Sequence, residues 1–290
     1  MSAHSIRSSG QVTVGLVLAA VVLSWVCATH AALPIPTPIS FGETICDEIS
    51  LPGEVDYYTL HASAGDIILV RMVANANVFM DPKLEVYDPN GMMITSASGA
   101  FLAEISSLEL PVSGIYTVLS MDNAGTHTGA YCIHVQRLND PGQAMPIGFG
   151  EVLCETTWPL SETDAYTFQA SAGDLMLIRM VATANVFMNP LFRIYDPDGH
   201  YVTGASGAYL AEIGSLELAA DGQYTILAMD AAGDHGGDYC IHIQRLNAPG
   251  NTTPIDFYDT LCDTITMLAQ TDAYVFAGAL GDMIRINMSA

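Results

Sequence analysis

GAYCIHVQRLN at 129–139 returns, with two changes, as GDYCIHIQRLN at 237–247. The copies are 108 residues apart, and each surrounds one cysteine. Tyr131, Ile133 and Val135 alternate with Cys132, His134 and Gln136. A period of two is the side-chain repeat of a β-strand, so the stretch reads as the last strand of a repeated unit. Working outward, residues 39–146 align with 147–254 without a gap and share 63 of 108 residues. A fixed period decides architecture before any local propensity does. Prolines flank the copies (Pro141, Pro146, Pro249, Pro254) and read as short linkers between compact units. A third copy opens at Ile255 with IDFYDTLCDTI and TDAYVF and runs to Ala290. The expected organisation is one repeat at 38–140, a second at 146–248, and the truncated start of a third at 254–290. On that reading the sequence is a fragment or a gene product cut short.

Within a unit, strands alternate with turns. DYYTLHA (56–62), DAYTFQA (164–170) and DAYVFAG (272–278) keep one face apolar or aromatic, while the other face changes freely. One buried and one wet face is the antiparallel-sheet pattern. Asp56, Asp164 and Asp272 open this strand and read as turn caps. IILVRMV (67–73) and LMLIRMV (175–181) are apolar on both faces and suit a central strand. Each contains an arginine, Arg71 and Arg179. A buried guanidinium needs a carboxylate, from Glu104/Glu212 or Glu109/Glu217. A snorkelling side chain at a sheet edge fits equally. YDPNG (87–91) and YDPDG (195–199) mark tight hairpins. About seven short strands per ~100 residues, without a convincing helix, predict an all-β fold of tandem antiparallel β-sandwiches, immunoglobulin-sized or jelly-roll-like.

Residues 1–32 read as a secretory signal peptide. Arg7 is their only charge, Val12 to Val26 are apolar, and CATHAA precedes a proline region, with cleavage after Ala31 or Ala32. The apolar run is short for a bilayer span. No later segment is long and apolar enough, so no membrane span remains after cleavage. Localisation is then secreted, extracellular or at the cell surface. With Cys27 removed, each unit keeps two cysteines 86 residues apart: Cys46 with Cys132, and Cys154 with Cys240. In an exported chain this predicts one disulfide per unit, joining the first strand to the last. Cys262 would need a partner 86 residues further on. Beyond Ala32 the chain has 31 Asp and Glu against 7 Lys and Arg. Such a surface repels nucleic acid and anionic lipid and suits salt or divalent cations.

The ordered set Asp56/Tyr58/Leu60, Gly65/Asp66, Tyr87–Gly91, Gly114/Tyr116 and Gly125/Gly129/Tyr131 resembles the bacterial pre-peptidase C-terminal (PPC) domain. The second copy carries the same set 108 residues higher. The resemblance implies a jelly-roll-like sandwich on a secreted protein, often trailing a peptidase, with calcium or an extracellular polymer bound in some members. The chain departs from the pattern in its tandem units without a catalytic domain, and in its cysteine pair.

Neither HExxH nor GxSxG occurs, and GASG at 204–207 reads as a turn. No catalytic residue is assigned. His134 and His242 lie on the strand face opposite Tyr131 and Ile133 and read as exposed. The acidic glycine loop around Asp230, Asp234 and Asp238, with His235, is a candidate calcium site through carboxylate and carbonyl oxygens. The first copy keeps only Asp122 there, beside His127. The cofactor expectation is none, with calcium as the candidate. The methionines read as core filling. Tyr57, Phe101 and Tyr209 are candidates for a patch that binds a sugar or a peptide. The expected function is a secreted, non-catalytic module for adhesion, surface assembly or binding of an extracellular polymer or protein. The alternative is the accessory region of a secreted hydrolase whose catalytic domain lies outside this chain.

Overall fold

The computed structural model describes residues 35–75, 79–183 and 187–289. The signal peptide expectation, with Cys27, lies outside them. Among the described residues every regular element is a strand. No helix there is long and apolar enough to cross a membrane.

The first copy has nine strands: β1 Thr37–Pro38, β2 Glu43–Ile49, β3 Val55–Ala62, β4 Ile67–Ala74, β5 Pro82–Tyr87, β6 Met93–Ser98, β7 Leu102–Glu109, β8 Gly114–Asp122 and β9 Gly129–Arg137. The second copy repeats them: β10 Met145–Pro146, β11 Val152–Thr157, β12 Asp164–Ala170, β13 Leu175–Ala182, β14 Pro190–Tyr195, β15 Tyr201–Ser206, β16 Leu210–Glu217, β17 Gly222–Asp230 and β18 Gly237–Arg245. The third copy contributes β19 Thr252–Pro254 and β20 Ala273–Val275, paired parallel as β1 pairs with β3.

Each full copy is a two-sheet sandwich. The five-stranded sheet runs β1-β3-β8-β5-β6 and the four-stranded sheet β2-β9-β4-β7; the second copy has the orders β10-β12-β17-β14-β15 and β11-β18-β13-β16. Apart from the short β1 and β10 pairings, neighbours are antiparallel. The period-two pattern explains the layers. Tyr58, Leu60, Leu84, Val86, Tyr116 and Val118 face inward from one sheet, and Ile68, Val70, Met72, Ala103, Tyr131 and Ile133 from the other. The pre-proline turns are held against the sheet. Gly114 sits at φ +153°, where a Cβ would lie 2.7 Å from Pro89 Cγ of the YDPNG turn, so glycine is required there.

The last strand of each copy pairs with the strand that carries its first cysteine, β9 with β2 and β18 with β11, as the cysteine spacing predicts. Cys46 opposes Cys132 across β2–β9 and Cys154 opposes Cys240 across β11–β18, and both pairs are disulfide-bonded with Cα atoms 4.0 Å apart. Cys262 is free and exposed.

The two copies do not hang on their proline segments as separate beads. A second apolar cluster joins Ile67, Leu69 and Leu138 of the first copy to Ala165, Tyr195, Leu227 and Met229 of the second. The outer face of the first copy's four-stranded sheet is therefore covered by the outer face of the second copy's five-stranded sheet.

Candidate functional site

Three places carry the chemistry singled out in the sequence: the seam between the copies, the acidic loops, and the exposed aromatics.

The seam is built on β4, β7 and β9. β4 is buried at every position, because its inward face meets the core and its outward face meets the next copy. Arg71 projects into this seam and is 1% exposed. Its Nε lies 3.1 Å from Glu104 Oε2, which settles the partner left open between Glu104 and Glu109. Glu104 also accepts Arg193 Nη1 of the second copy at 2.7 Å. Arg71 Nη2 donates to the Asp230 carbonyl at 3.2 Å, and Ser161 Oγ donates to the Arg71 carbonyl at 3.1 Å. One carboxylate thus joins two guanidinium groups from two units. Burial of a charge demands such pairing.

His134 corrects the expectation of an exposed histidine. It lies on the outward face, as its spacing requires, but that face is covered and the residue is fully buried. Its ring nitrogens meet Thr44 Oγ1 at 2.8 Å and Thr163 Oγ1 of the second copy at 2.7 Å. Burial, with the Arg71 charge beside it, lowers its pKa to about 3, so the imidazole is neutral, one nitrogen donating and the other accepting. His242 is buried too, beneath residues of the third copy, and its Nδ1 bonds the Glu151 carbonyl at 2.9 Å. The error had one physical source: the sheet was read as wet on one side.

The strand-opening aspartates are not free turn caps. Tyr131 donates to Asp56 Oδ2 at 2.6 Å, and Tyr239 donates to Asp164 Oδ2 at 2.7 Å. Having spent its only proton, Tyr131 accepts from Tyr58 at 2.6 Å, and Tyr239 likewise from Tyr166. Burial raises the pKa of Asp56, and that of Asp164 to about 6, against the lowering effect of the tyrosine hydrogen bond. The D-x-Y and G-x-Y elements of the PPC-like pattern are thus one buried relay across the core.

The acidic loops use their carboxylates to hold backbone amides. Asp230 accepts amide hydrogens from Asn189 at 2.7 Å, Gly233 at 2.7 Å and Ala232 at 3.1 Å. Asp234 meets His235 Nδ1 at 2.8 Å, and Asp238 accepts the Thr156 hydroxyl. Ligand atoms of Asp230, Asp234 and His235 lie within 4.8 Å of one another, while Asp238 stands apart from that group. In the first copy Asp122 accepts amides of Asp81, Thr126 and His127. Carboxylates that accept three amide hydrogens tie loops together and keep about one of their four lone-pair sites. The equivalent aspartates differ in pKa. Burial raises Asp230, which lies in the seam. At Asp122 burial also raises, but the amides outweigh it and the pKa falls.

Phe101 and Tyr209 occupy the same position in the two copies, at the β6–β7 and β15–β16 hairpins, and both are exposed. Phe79 and Phe187, also equivalent, are more exposed still and were not singled out from the sequence. The Ala74 amide bonds the Phe101 carbonyl and the Asn75 amide bonds the Ala130 carbonyl, each at 2.9 Å. The β4–β5 loop, the β6–β7 hairpin and the β8–β9 loop therefore meet at one end of the sandwich. Tyr57 does not join them: it is half-buried on β3, separated from β6 by β8 and β5.

No family model matches this chain, and no curated protein matches it. Among solved structures, it is similar to the pre-peptidase C-terminal domain of a collagenase from Bacillus anthracis, at 16% identity and a TM-score of 0.31 over 36% of this chain and 97% of that one. It is similar to PliG, a periplasmic inhibitor of g-type lysozyme from Aeromonas hydrophila, at 18% identity and a TM-score of 0.28 over 35% and 96%. The PBSX exported protein XepA matches at 10% identity and a TM-score of 0.22 over 69% and 86%. These are distant likenesses of a β-sandwich.

Proposed function

We propose that this chain is a secreted, non-catalytic repeat protein that binds an extracellular polymer or protein in adhesion or surface assembly. Residues 1–32 are its export signal, 38–140 and 146–248 its binding units, and 254–290 the opening of a third. The PPC resemblance of the repeated motifs accords with such a module.

The observation that carries the reading is the repeated pair of exposed aromatics at one end of each unit: Phe79 with Phe101, and Phe187 with Tyr209. The polar motif residues, by contrast, are engaged in holding the fold. Rigid aromatic side chains supply contact area at low entropic cost. Two such sites on one pair of packed units add avidity without new contacts. The test is retention on insoluble polymers (peptidoglycan, chitin, cellulose, collagen). The wild type is expected to bind at least one of them, and F101A/Y209A to lose that binding while its melting curve is unchanged. Equal retention of the variant, or no retention of either, would remove the reading.

A further inference from the structure

The same surface occurs twice in this molecule, once covered and once half-covered. In the first copy the outer face of the four-stranded sheet carries Ile67, Leu69, Arg71, Val73, His134 and Leu138. In the second copy it carries Leu175, Leu177, Arg179, Val181, His242 and Leu246. Every position keeps its character, with one Ile→Leu change. Outward faces drift unless something covers them, and the outward face of β3 and β12 does drift: Tyr57, Thr59 and His61 become Ala165, Thr167 and Gln169.

Burial differs, although the residues hardly do. β4 is buried at all eight positions, whereas β13 alternates between partly buried and buried. Arg71 is 1% exposed and Arg179 28%; Glu104 is 14% and Glu212 40%. Leu138 is 0% and Leu246 40% exposed. The reciprocal face shows the reverse. β17, which lies on the first copy, is buried over its last seven positions, while β8 alternates.

The third copy has begun to cover the second. Gln270 accepts from Arg179 Nη1 at 3.5 Å through its carbonyl. Thr271 stands at the position of Thr163, and Ala273 at that of Ala165. The covered seam has buried atoms of its own without a hydrogen-bond partner, Arg71 Nε and Nη1 and Glu104 Oε2, so the difference lies in one contact: His242 Nε2 and Thr271 Oγ1 are both buried and unpartnered, whereas their counterparts His134 and Thr163 bond at 2.7 Å. Buried polar atoms in native proteins are nearly always satisfied. Glu212, paired with Arg179 at 2.8 Å, has no counterpart of Arg193 among the described residues.

We propose that the outer face of β11-β18-β13-β16 is a docking face for one more whole sandwich unit of this repeat type, laid on it as the second copy is laid on the first. The occupant carries threonine facing His242, a small residue at the place of Ala165, and arginine at the place of Arg193 to meet Glu212. The first copy's own five-stranded sheet is not such an occupant. It has Val55, Tyr57 and Glu85 at the three positions; the glutamate would face Glu212. The repeats thus have a direction. This inference is independent of polymer binding.

Residues 183–254 appended after Ala290 continue the 108-residue register and complete a third unit. In that chain Cys262 is expected to pair with the appended copy of Cys240, and hydroxyl-radical labelling of Leu246 and Leu177 is expected to fall to that of Leu138 and Leu69. In T271V/A273Y, which carries the first copy's residues, the third unit is expected to fold while Leu246 and Leu177 return to their labelling in the parent chain. A disulfide-closed third unit without protection of Leu246 would overturn the proposal. So would protection that survives T271V/A273Y, or failure of Cys262 to pair in an otherwise folded chain. Sedimentation of the parent chain as a monomer is expected; a dimer that protects Leu246 would assign the face to a second copy of the chain instead.

Discussion

His134 Nε2 and Thr163 Oγ1 lie 2.7 Å apart, both fully or almost fully buried, across the boundary between two repeats. Thr163→Val keeps the shape and deletes the hydroxyl, leaving a buried ring nitrogen unsatisfied. An orphaned buried polar atom costs about 1–3 kcal/mol. Urea denaturation is expected to show that loss, with the far-UV spectrum unchanged, because the sandwich cores do not include this contact. A variant as stable as wild type would mean that the seam hydrogen bond contributes nothing.

The same histidine gives the stability a pH dependence. Its folded pKa is about 3, lowered from 6.5 by burial and by Arg71. Between those values the unfolded chain binds a proton that the folded chain refuses. The contribution is complete above pH 6.5 and is lost as pH falls towards 3, at roughly 1.4 kcal/mol per pH unit. Glu162 and Asp164 oppose it. Burial raises them to about 7 and about 6, so their folded forms hold protons that the unfolded chain has released, and stability falls as pH rises through that window. The difference between wild type and His134→Gln isolates the histidine. It is expected to be constant above pH 7 and to shrink steadily below 6.5. A flat difference would contradict the buried neutral ring.

The strands and the cysteine partners were legible because they rest on simple patterns: period-two alternation, Asp-Pro-Asn/Asp-Gly turns and a fixed 86-residue cysteine interval. The seam was not read, because packing between repeats is encoded on faces that alternation labels as outward. The signal was nevertheless present. The outward residues of the quoted strand, Cys132, His134 and Gln136, are identical in both copies, while the outward residues of 57–61 are not. Identity on an outward face is a packing signal in a repeat protein. Phe79 carries no such signal: it is identical in both copies, and only three-dimensional placement shows it exposed.

Tyr131→Phe is expected to destabilise the first unit by about 1–3 kcal/mol, since Asp56 loses the phenol that satisfies it in a half-buried place. Tyr58 loses its acceptor in the same step. Tyr116→Phe removes two bonds to the Val112 backbone, at an exposed turn where water can replace them, and is expected to cost less. Thermal melts of the two variants decide; equal losses would deny the relay a special part.

Calcium is expected to leave the melting temperature where it is. The carboxylates of Asp122 and Asp230 each accept three amide hydrogens, which leaves about one of four lone-pair sites apiece for a cation. A ligand that binds only the folded state raises stability with its concentration. Calorimetry in EDTA and then in millimolar Ca²⁺ should therefore give superimposable curves; a rise would mean that the loops rearrange to release these oxygens.

The disulfides close loops of 86 residues. In the chain-entropy account, a loop of that size is worth roughly 4–5 kcal/mol. The bridges lie between edge and inner strands, with Cys46 and Cys154 exposed, so a reductant reaches them without unfolding. C46S/C132S is expected to lower the first unit's stability by that order, while the second bridge stays closed. Loss of stability should be smaller where the seam holds the reduced unit in place, since the second copy still covers β4 and β9. Non-reducing peptide mapping of the wild type should recover 46–132 and 154–240, with Cys262 alone alkylated among the described residues. Recovery of a 132–154 peptide would break the assignment, because those two cysteines belong to different sandwiches.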